Sequence, residues 1–292
     1  MAVVHASIPI GAHRLEVELR RVKVNDVELN VATAGRGPAV LLLHGFPHTW
    51  RLWTHIMGDL ASQYRVIAPD LRGFGDSARP AQGYDGGTLA SDAEELLRAL
   101  GVVSATVVGI DAGAPPAFLL AMRRPGLVRR LVLMESLLGR LPGAEEFLAG
   151  GPPWWFGFHG QDGLAESVLL GHEETYVGWF LDHGTLGRGV RPDIRAEIVR
   201  TYVGREALRG AFGPYRATAS TGRQIEAAVA SSRLTVPTMT IGAHPVGPAL
   251  ERQLRPHAEH LETHLMKDCG HIIPLDRPEA LLDLLRPFLA AA

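Results

Sequence analysis

The residues best suited to covalent chemistry form the motif Gly109-Ile110-Asp111-Ala112-Gly113, in which a lone carboxylate lies between two glycines. An apolar run precedes this motif, and a segment of helical character follows it. A tight turn from a strand into a helix exposes its central side chain and leaves little room for bulk two positions away on either side. An aspartate there is ionised at neutral pH and can displace a leaving group from saturated carbon, which forms an ester. The same aspartate could instead cap the helix, and the motif by itself leaves both interpretations open.

Apolar runs of strand length alternate with helical stretches over most of the chain. Continuous apolar runs indicate strands that are covered on both faces, so this alternation predicts a parallel, doubly wound α/β sheet. Two strands of alternating polarity come first, on either side of a turn at Asn25-Asp26. The predicted strands are 21–34 (the pair around the turn), 39–43, 64–68, 105–108, 130–134, 236–241 and 264–266, and the predicted helices are 89–100, 116–124 and 278–289.

The alternation lapses between residues 137 and 215, a stretch that is rich in glycine and contains the pair Trp154-Trp155. Helical segments such as 194–209 occur in it, so a helical insertion into the α/β core is the simplest interpretation. We therefore predict a first part of the core over residues 1–136, a helical cap over 137–216 and a second part of the core over 217–292.

Composition excludes several kinds of partner. Of the 292 residues, 29 are Lys or Arg and 31 are Asp or Glu, so nothing in the net charge of -2 favours nucleic acid or an anionic membrane. No apolar stretch approaches the roughly 20 residues of a bilayer span, and the first residues show no secretory signal. The single cysteine fits a reducing compartment, so we expect a cytoplasmic protein. Without a G-x-G-x-x-G or an H-E-x-x-H motif, we expect neither a dinucleotide cofactor nor a metal ion.

Three further motifs, taken with the one around Asp111, carry a resemblance to a known family. His44-Gly45-Phe46-Pro47 and the run from Asp70 to Ser77 each follow a predicted strand, and Asp268-Cys269-Gly270-His271 lies between a strand and a helix. Together they resemble the α/β-hydrolase superfamily over essentially the whole chain, in its order of nucleophile, acid and late histidine. The resemblance implies an α/β-hydrolase fold, with a mostly parallel central sheet, flanking helices and an inserted helical cap.

The resemblance also implies which side chains assist Asp111. His271 would activate the water that hydrolyses the ester, and Glu135, at the end of the strand 130–134, would orient the imidazole. The family's other acid position, around 241–247, carries no carboxylate here. Asp268 and Asp276 compete for the orienting role, although both are better explained as solvated loop carboxylates.

The oxyanion hole of this family is formed by two backbone amides. Here these would be the amide of Ala112, after the nucleophile, and that of Phe46. Pro47 has no N–H and cannot contribute.

An aspartate nucleophile with such a histidine resembles the epoxide hydrolases and the dehalogenases of the superfamily. In fluoroacetate-type dehalogenases, arginines beside the nucleophile hold the substrate carboxylate, whereas this chain has Ala112 and Pro115 there. The H-G-F-P loop and a cap tyrosine, Tyr215, instead resemble epoxide hydrolases, in which cap donors bind the epoxide oxygen.

The cap donors depart from the common pairs of that group, which are two tyrosines or a histidine and a tyrosine. Trp154 or Trp155 would supply the first donor, although both could equally be hydrophobic anchors. An indole N–H donates a hydrogen bond but is no practical proton source, so Tyr215 or water must protonate the alkoxide. Tyr176 and Tyr202 are weaker alternatives to Tyr215. Ile110, where many relatives have histidine, would make the substrate pocket more apolar.

These observations favour an epoxide hydrolase without a cofactor, acting on a bulky, apolar or aromatic epoxide. A haloalkane-type dehalogenase and a non-catalytic α/β-hydrolase that binds a small ligand are the alternatives, and a homodimer stays open. The Ala-, Arg- and Gly-rich composition indicates a high-GC bacterium. A role in natural-product biosynthesis, similar to that of the epoxide hydrolases of aromatic polyketide pathways, would fit.

Overall fold

The sheet that carries the site is mostly parallel. The computed structural model describes residues 3–10 and 13–291, and within them one sheet has nine strands in the order β1-β2-β3-β5-β4-β6-β7-β8-β9. Strands β1, β2 and β3 pair antiparallel with their neighbours, and from β5 to β9 every pairing is parallel. The strands are β1 (Val3–Ile10), β2 (His13–Val24), β3 (Val27–Ala34), β4 (Ala39–Leu43), β5 (Arg65–Pro69), β6 (Ala105–Ile110), β7 (Val128–Met134), β8 (Thr238–Gly242) and β9 (Leu261–Leu265).

The central strands are those that the sequence predicts from continuous apolar runs. Every residue of β4 and β6 is buried, because helices cover both faces of the sheet at its centre. The helices of this core are α1 (Thr54–Leu60), α2 (Gly86–Ala99), α3 (Ala114–Arg123), α10 (Ala249–Leu254), α11 (Ile273–Asp276) and α12 (Pro278–Ala290). The predicted mostly parallel sheet with flanking helices is confirmed.

A helical insertion separates β7 from β8. Its helices are α4 (Trp154–Gly160), α5 (Leu164–Leu169), α6 (Glu173–His183), α7 (Pro192–Arg200), α8 (Arg205–Arg216) and α9 (Thr218–Ser231). Helix α9 packs against α2 and α3 of the core, while α4 to α8, which we call the cap, cover the carboxyl edge of the sheet.

The sequence-based prediction of secondary structure is wrong for one helix, misses one hairpin, and starts the last strand at residue 264 where β9 begins at Leu261. The expected helix 194–209 is broken after Arg200, because Gly204 has a φ of 96°, which a helix cannot accommodate. The hairpin formed by β1 and the first half of β2 was not predicted. In the described residues no helix is long and apolar enough to cross a membrane.

Candidate active site

Asp111 lies at a strained turn between β6 and α3. Its φ of 52° is in the left-handed region, which a residue other than glycine seldom adopts. The flanking glycines permit this turn, since a Cβ on Gly109 would lie 2.5 Å from the Gly113 oxygen, and a Cβ on Gly113 would lie 2.3 Å from the Leu43 oxygen. The Ser136 hydroxyl donates to the Asp111 carbonyl at 2.8 Å and holds the turn from the end of β7.

Two backbone amides hold the Asp111 carboxylate. The Phe46 N–H donates to Asp111 Oδ1 at 2.7 Å, and the Ala112 N–H also donates to this carboxylate. These are the amides that the sequence assigns to the oxyanion hole. Gly45 allows the close approach, because a Cβ there would lie 2.1 Å from Asp111 Oδ1.

His271 lies between two carboxylates. Its Nε2 is 3.3 Å from Asp111 Oδ2, and its Nδ1 is 3.1 Å from Glu135 Oε2. Glu135 is buried at the end of β7 and accepts further hydrogen bonds from the amides of Ala243 at 2.5 Å and Val246 at 3.3 Å. The loop after β8, which lacks a carboxylate of its own, thus binds the carboxylate that reaches it from β7.

These contacts set the charges of the pair. Burial alone would lower the pKa of His271, but its hydrogen bonds with Asp111 and Glu135 outweigh burial and raise the pKa to about 10. Burial would likewise raise the pKa of Asp111, but the hydrogen bond and charge of His271, with the two amides, lower it. The resting site therefore holds an imidazolium between two carboxylates.

Asp268 and Asp276, the two other candidates for orienting His271, bind other groups, and one of the two carboxylates is buried. Asp268 is 83% exposed and pairs with Arg277. The Asp276 carboxylate is only 1% exposed and binds Arg188 and the Gly270 amide, so its expected place among solvated loop carboxylates is wrong. Asp276 is buried because it ends the short helix α11, which places its carboxylate against the loop that contains His271.

A cavity of about 660 Å³ opens above Asp111 and His271, between the sheet edge and the cap. Trp155 and Tyr215 line it, together with Phe46, Phe156, Trp179 and Phe180. No lysine or arginine is among the lining residues of the described chain.

Two residues assigned to the substrate pocket lie outside this cavity. Trp154 is 55% exposed, because the helix turns by about 100° per residue and, of the two tryptophans at the start of α4, Trp155 is the one that faces the cavity. Ile110 is buried in β6 and does not line the cavity, since strand side chains alternate and this one points into the core.

The tyrosines near the cavity differ in whether their hydroxyls have a hydrogen-bond partner. The Tyr176 hydroxyl is 2.5 Å from His159 Nε2, and the Tyr202 hydroxyl donates to the His48 carbonyl at 3.2 Å. Within residues 3–10 and 13–291, no hydrogen bond is formed by the Tyr215 hydroxyl or by Nε1 of Trp155, and both side chains line the cavity. Burial, followed by the charge of Asp111, raises the pKa of Tyr215 well above its ordinary value.

His159 is a buried residue of the site that sequence reasoning missed. Its ring stacks on Phe212 at 4.1 Å and meets Tyr215 edge-on at 4.4 Å and Phe46 at 5.0 Å. Burial lowers the pKa of His159 to about 3, so it is neutral. His159 lies five positions after Trp154, but its position in the sequence did not indicate that its side chain would contact Tyr176.

The remaining sequence motifs hold loops in place. His44 Nε2 accepts from the Leu71 amide at 3.1 Å, and Asp70 accepts from the Trp50 amide at 2.8 Å. These bonds tie the loop after β4 to the loop after β5. No group of three His, Cys, Asp or Glu side chains that could hold a metal ion occurs in the described part of the chain.

Comparisons with known proteins agree with this architecture. Residues 38–278 match the family model described as alpha/beta hydrolase fold. A soluble epoxide hydrolase from Corynebacterium sp. (strain C12) is 30% identical over 94% of this chain and 98% of its own length. A fluoroacetate dehalogenase from Burkholderia sp. is 31% identical over 68% of this chain and 69% of its own length.

Among solved structures, the epoxide hydrolase CorEH without ligand superposes with a TM-score of 0.83 at 28% identity. The match covers 94% of this chain and 99% of that protein. The fold and the general enzyme class expected from the sequence are confirmed: the chain belongs to the α/β-hydrolase fold family and is a hydrolase.

Proposed function

We propose that the protein is an epoxide hydrolase that acts through a covalent ester on Asp111. The observation that carries the proposal is the arrangement of an ionised aspartate, already held by two amides and an imidazolium, beneath a cavity in which Trp155 and Tyr215 offer unpaired donors. A carboxylate attacks a strained ring carbon, whereas the donors stabilise the oxygen that leaves that carbon.

In the first step an Asp111 oxygen bonds to an epoxide carbon, and the carbon–oxygen bond of the ring breaks. The epoxide oxygen becomes an alkoxide that accepts hydrogen bonds from Trp155 and Tyr215. Tyr215 transfers its proton to the alkoxide, and the His271 proton returns through water to the tyrosinate. Forming the ester removes the charge of Asp111, so the pKa of His271 falls and the neutral imidazole can act as a base.

In the second step water attacks the ester carbonyl carbon of Asp111 while His271 takes a proton from that water. The amides of Phe46 and Ala112 hold the oxyanion of the tetrahedral intermediate. The ester bond then breaks, His271 protonates the departing diol, and the acid form of Asp111 returns its remaining proton to His271. One water is consumed, and the resting ion pair is restored.

The cavity supports a bulky substrate. Its volume of about 660 Å³ and its aromatic lining suit an epoxide with a large apolar or aromatic body. We place such an enzyme in the cytoplasm of a bacterium, with natural-product biosynthesis as the source of its substrate.

A dehalogenase is the second candidate, favoured by the similarity to the fluoroacetate dehalogenase. The cavity lining argues against it. Ala112 and Pro115 stand where arginines would hold a haloacid, and Trp154, one of the two tryptophans expected to bind a halide, lies outside the cavity.

The test uses the variant His271→Gln, incubated with styrene oxide and with a haloalkane and then weighed as the intact protein. We expect an adduct equal to the whole mass of the epoxide, because the ester forms but is not hydrolysed. An adduct from the haloalkane alone, lacking the halogen, would favour the dehalogenase. The double variant with Asp111→Asn is the control and should gain no mass.

The covalent scheme would be excluded by wild-type turnover without any adduct in His271→Gln. Single turnover in oxygen-18 water provides a second measurement, since ester hydrolysis places the label in the Asp111 carboxylate. Turnover that leaves Asp111 unlabelled would contradict the proposal.

A further inference from the structure

A segment of the cap is fastened to the loop that carries His271. We call residues 184–189, after helix α6, the rim segment, and residues 268–272 the histidine loop. The Ile272 amide donates to the Gly184 carbonyl at 2.8 Å. Arg188 of the rim segment donates two hydrogen bonds to Asp276, from Nε to Oδ1 and from Nη2 to Oδ2, each at 2.6 Å.

Asp276 connects Arg188 to the histidine loop. Its Oδ2 accepts the Gly270 amide at 2.6 Å, one residue before His271. The two backbones also touch directly, since a Cβ on Gly270 would lie 2.3 Å from the Gly184 oxygen. The residues on both sides of His271 are therefore held from the cap, at Gly270 through a carboxylate and at Ile272 by a carbonyl.

The ion pair at the centre of this arrangement joins a partly exposed guanidinium to a buried carboxylate through two hydrogen bonds. The Asp276 carboxylate is buried, and two parallel bonds from a guanidinium are the most specific geometry available to it. Burial would raise the pKa of Asp276, but the bond with Arg188 and the Gly270 amide lower it, so the carboxylate stays charged. Arg188 faces one further carboxylate, that of the exposed Asp268 at 3.5 Å.

The rim segment also lines the substrate cavity, with Gly184, Leu186 and Gly187. A substrate in the cavity would therefore contact the same segment that holds the histidine loop.

We propose that Arg188 and Asp276 are positioning residues that fix His271 for the hydrolysis of the Asp111 ester and have little effect on its formation. This inference rests on the proposed function. Ester formation needs the carboxylate of Asp111, which the Phe46 amide holds from outside the histidine loop. His271 supplies to this step only the proton that reaches Tyr215 through water, and that transfer follows the opening of the ring. Hydrolysis needs a water held between His271 and the ester carbon, and a misplacement of about 1 Å can slow such a step by up to about 100-fold.

The test compares Arg188→Gln with Arg286→Gln. Arg286 forms a similar fork with Asp59, at 3.1 and 2.8 Å, between helices α12 and α1 and away from the cavity. Single turnover of styrene oxide, quenched and weighed as intact protein, gives the rates of ester formation and hydrolysis separately. We expect hydrolysis about tenfold slower in Arg188→Gln, with formation within about twofold of wild type. Arg286→Gln should change neither rate.

Conservative variants separate positioning from folding. Arg188→Lys keeps the charge but loses the fork and should recover part of the hydrolysis rate. Asp276→Asn keeps an acceptor for the Gly270 amide and serves if Arg188→Gln unfolds. Equal slowing of both steps in a folded variant, or no change in either, would overturn the proposal.

A second measurement does not depend on turnover. We expect the proton on His271 Nδ1, hydrogen-bonded to Glu135, to give a far-downfield NMR resonance that reports the position of the ring. We expect this resonance to broaden or shift in Arg188→Gln and to stay in Arg286→Gln. If wild type forms no ester, the proposed function fails while this comparison still decides whether Arg188 positions His271. A resonance that stays at its wild-type position and width in Arg188→Gln, as in Arg286→Gln, would refute that role.

Discussion

The charge of His271 depends on its two carboxylate neighbours, and this dependence makes a prediction about stability. The pKa of His271 is about 10 in the folded protein, against an ordinary value of about 6.5. A raised pKa contributes stability that is fully present below about pH 6.5 and is lost as the pH rises through about 10.

Wild type should therefore lose its advantage in unfolding free energy over His271→Gln between these two pH values. Urea denaturation of both proteins from pH 6 to pH 10.5 measures the difference. Two curves that stay parallel over this range would contradict the assigned ion pairs.

Trp155 and Tyr215 should differ in how much they contribute to ring opening. Trp155→Phe removes one hydrogen bond to the epoxide oxygen, worth about 1 kcal/mol, so ring opening should slow about fivefold to tenfold. Tyr215→Phe also removes the proton source and should slow it by about 100-fold or more. Ester hydrolysis should be unchanged in both variants.

Trp154→Phe is the matched control, because its side chain is exposed and lies outside the cavity. Stopped-flow measurement of ester formation should give a rate within about twofold of wild type for this variant. Ring opening that is equally fast in Trp155→Phe would leave Trp155 as a packing residue.

At the level of elements, the loop after β4 is fitted to the turn after β6. Gly45 lets the Phe46 amide reach Asp111, and any side chain at position 45 would occupy the space of the Asp111 carboxylate. Gly45→Ala should therefore lower kcat by about 100-fold or more, since it displaces the nucleophile and one amide of the oxyanion hole.

The control for this change is Gly126→Ala. A Cβ on Gly126 would meet no atom within 4 Å, and its φ lies outside the left-handed region. We expect its kcat to match that of wild type. Steady-state kinetics and thermal unfolding of both variants check the comparison, and full activity in Gly45→Ala would show that the loop can move away from Asp111.

Several strands of the core could be predicted because buried strands at the centre of the sheet are mostly apolar. Such a run occurs in β4 and β6, both buried along their whole length. The cap could not be divided correctly, because its helices follow no alternation with strands, and because a glycine such as Gly204 permits a positive φ but does not require it. The first hairpin escaped prediction because β1 lies at the sheet edge and shows no comparable apolar run.

At the level of the whole molecule, the order of motifs in the family is sufficient to select Asp111, Glu135 and His271 from the sequence. What could not be predicted are contacts between segments that no motif links. Arg188 and Asp276 are separated by 88 residues, and His159 meets Tyr176 through the packing of two cap helices. For the same reason Trp154 and Trp155 could not be distinguished, since the helix phase decides which one faces the cavity.

The cavity between core and cap leads to a prediction about substrate size. Its volume of about 660 Å³ exceeds what a single aromatic ring needs, and aromatic residues of both cap and core line it. Each further ring of a substrate would bury about 40 Å² of apolar surface, worth about 1 kcal/mol or about a fivefold gain in binding at 25 cal/mol per Å².

We therefore expect kcat/KM to rise from styrene oxide to the three-ring phenanthrene 9,10-oxide by about tenfold or more. A linear alkyl epoxide of similar apolar area is the control and should gain less, because flat rings can stack on the aromatic lining and pay less conformational entropy on binding. A kcat/KM that falls with ring number would mean that the cap closes over a smaller substrate than the cavity volume indicates.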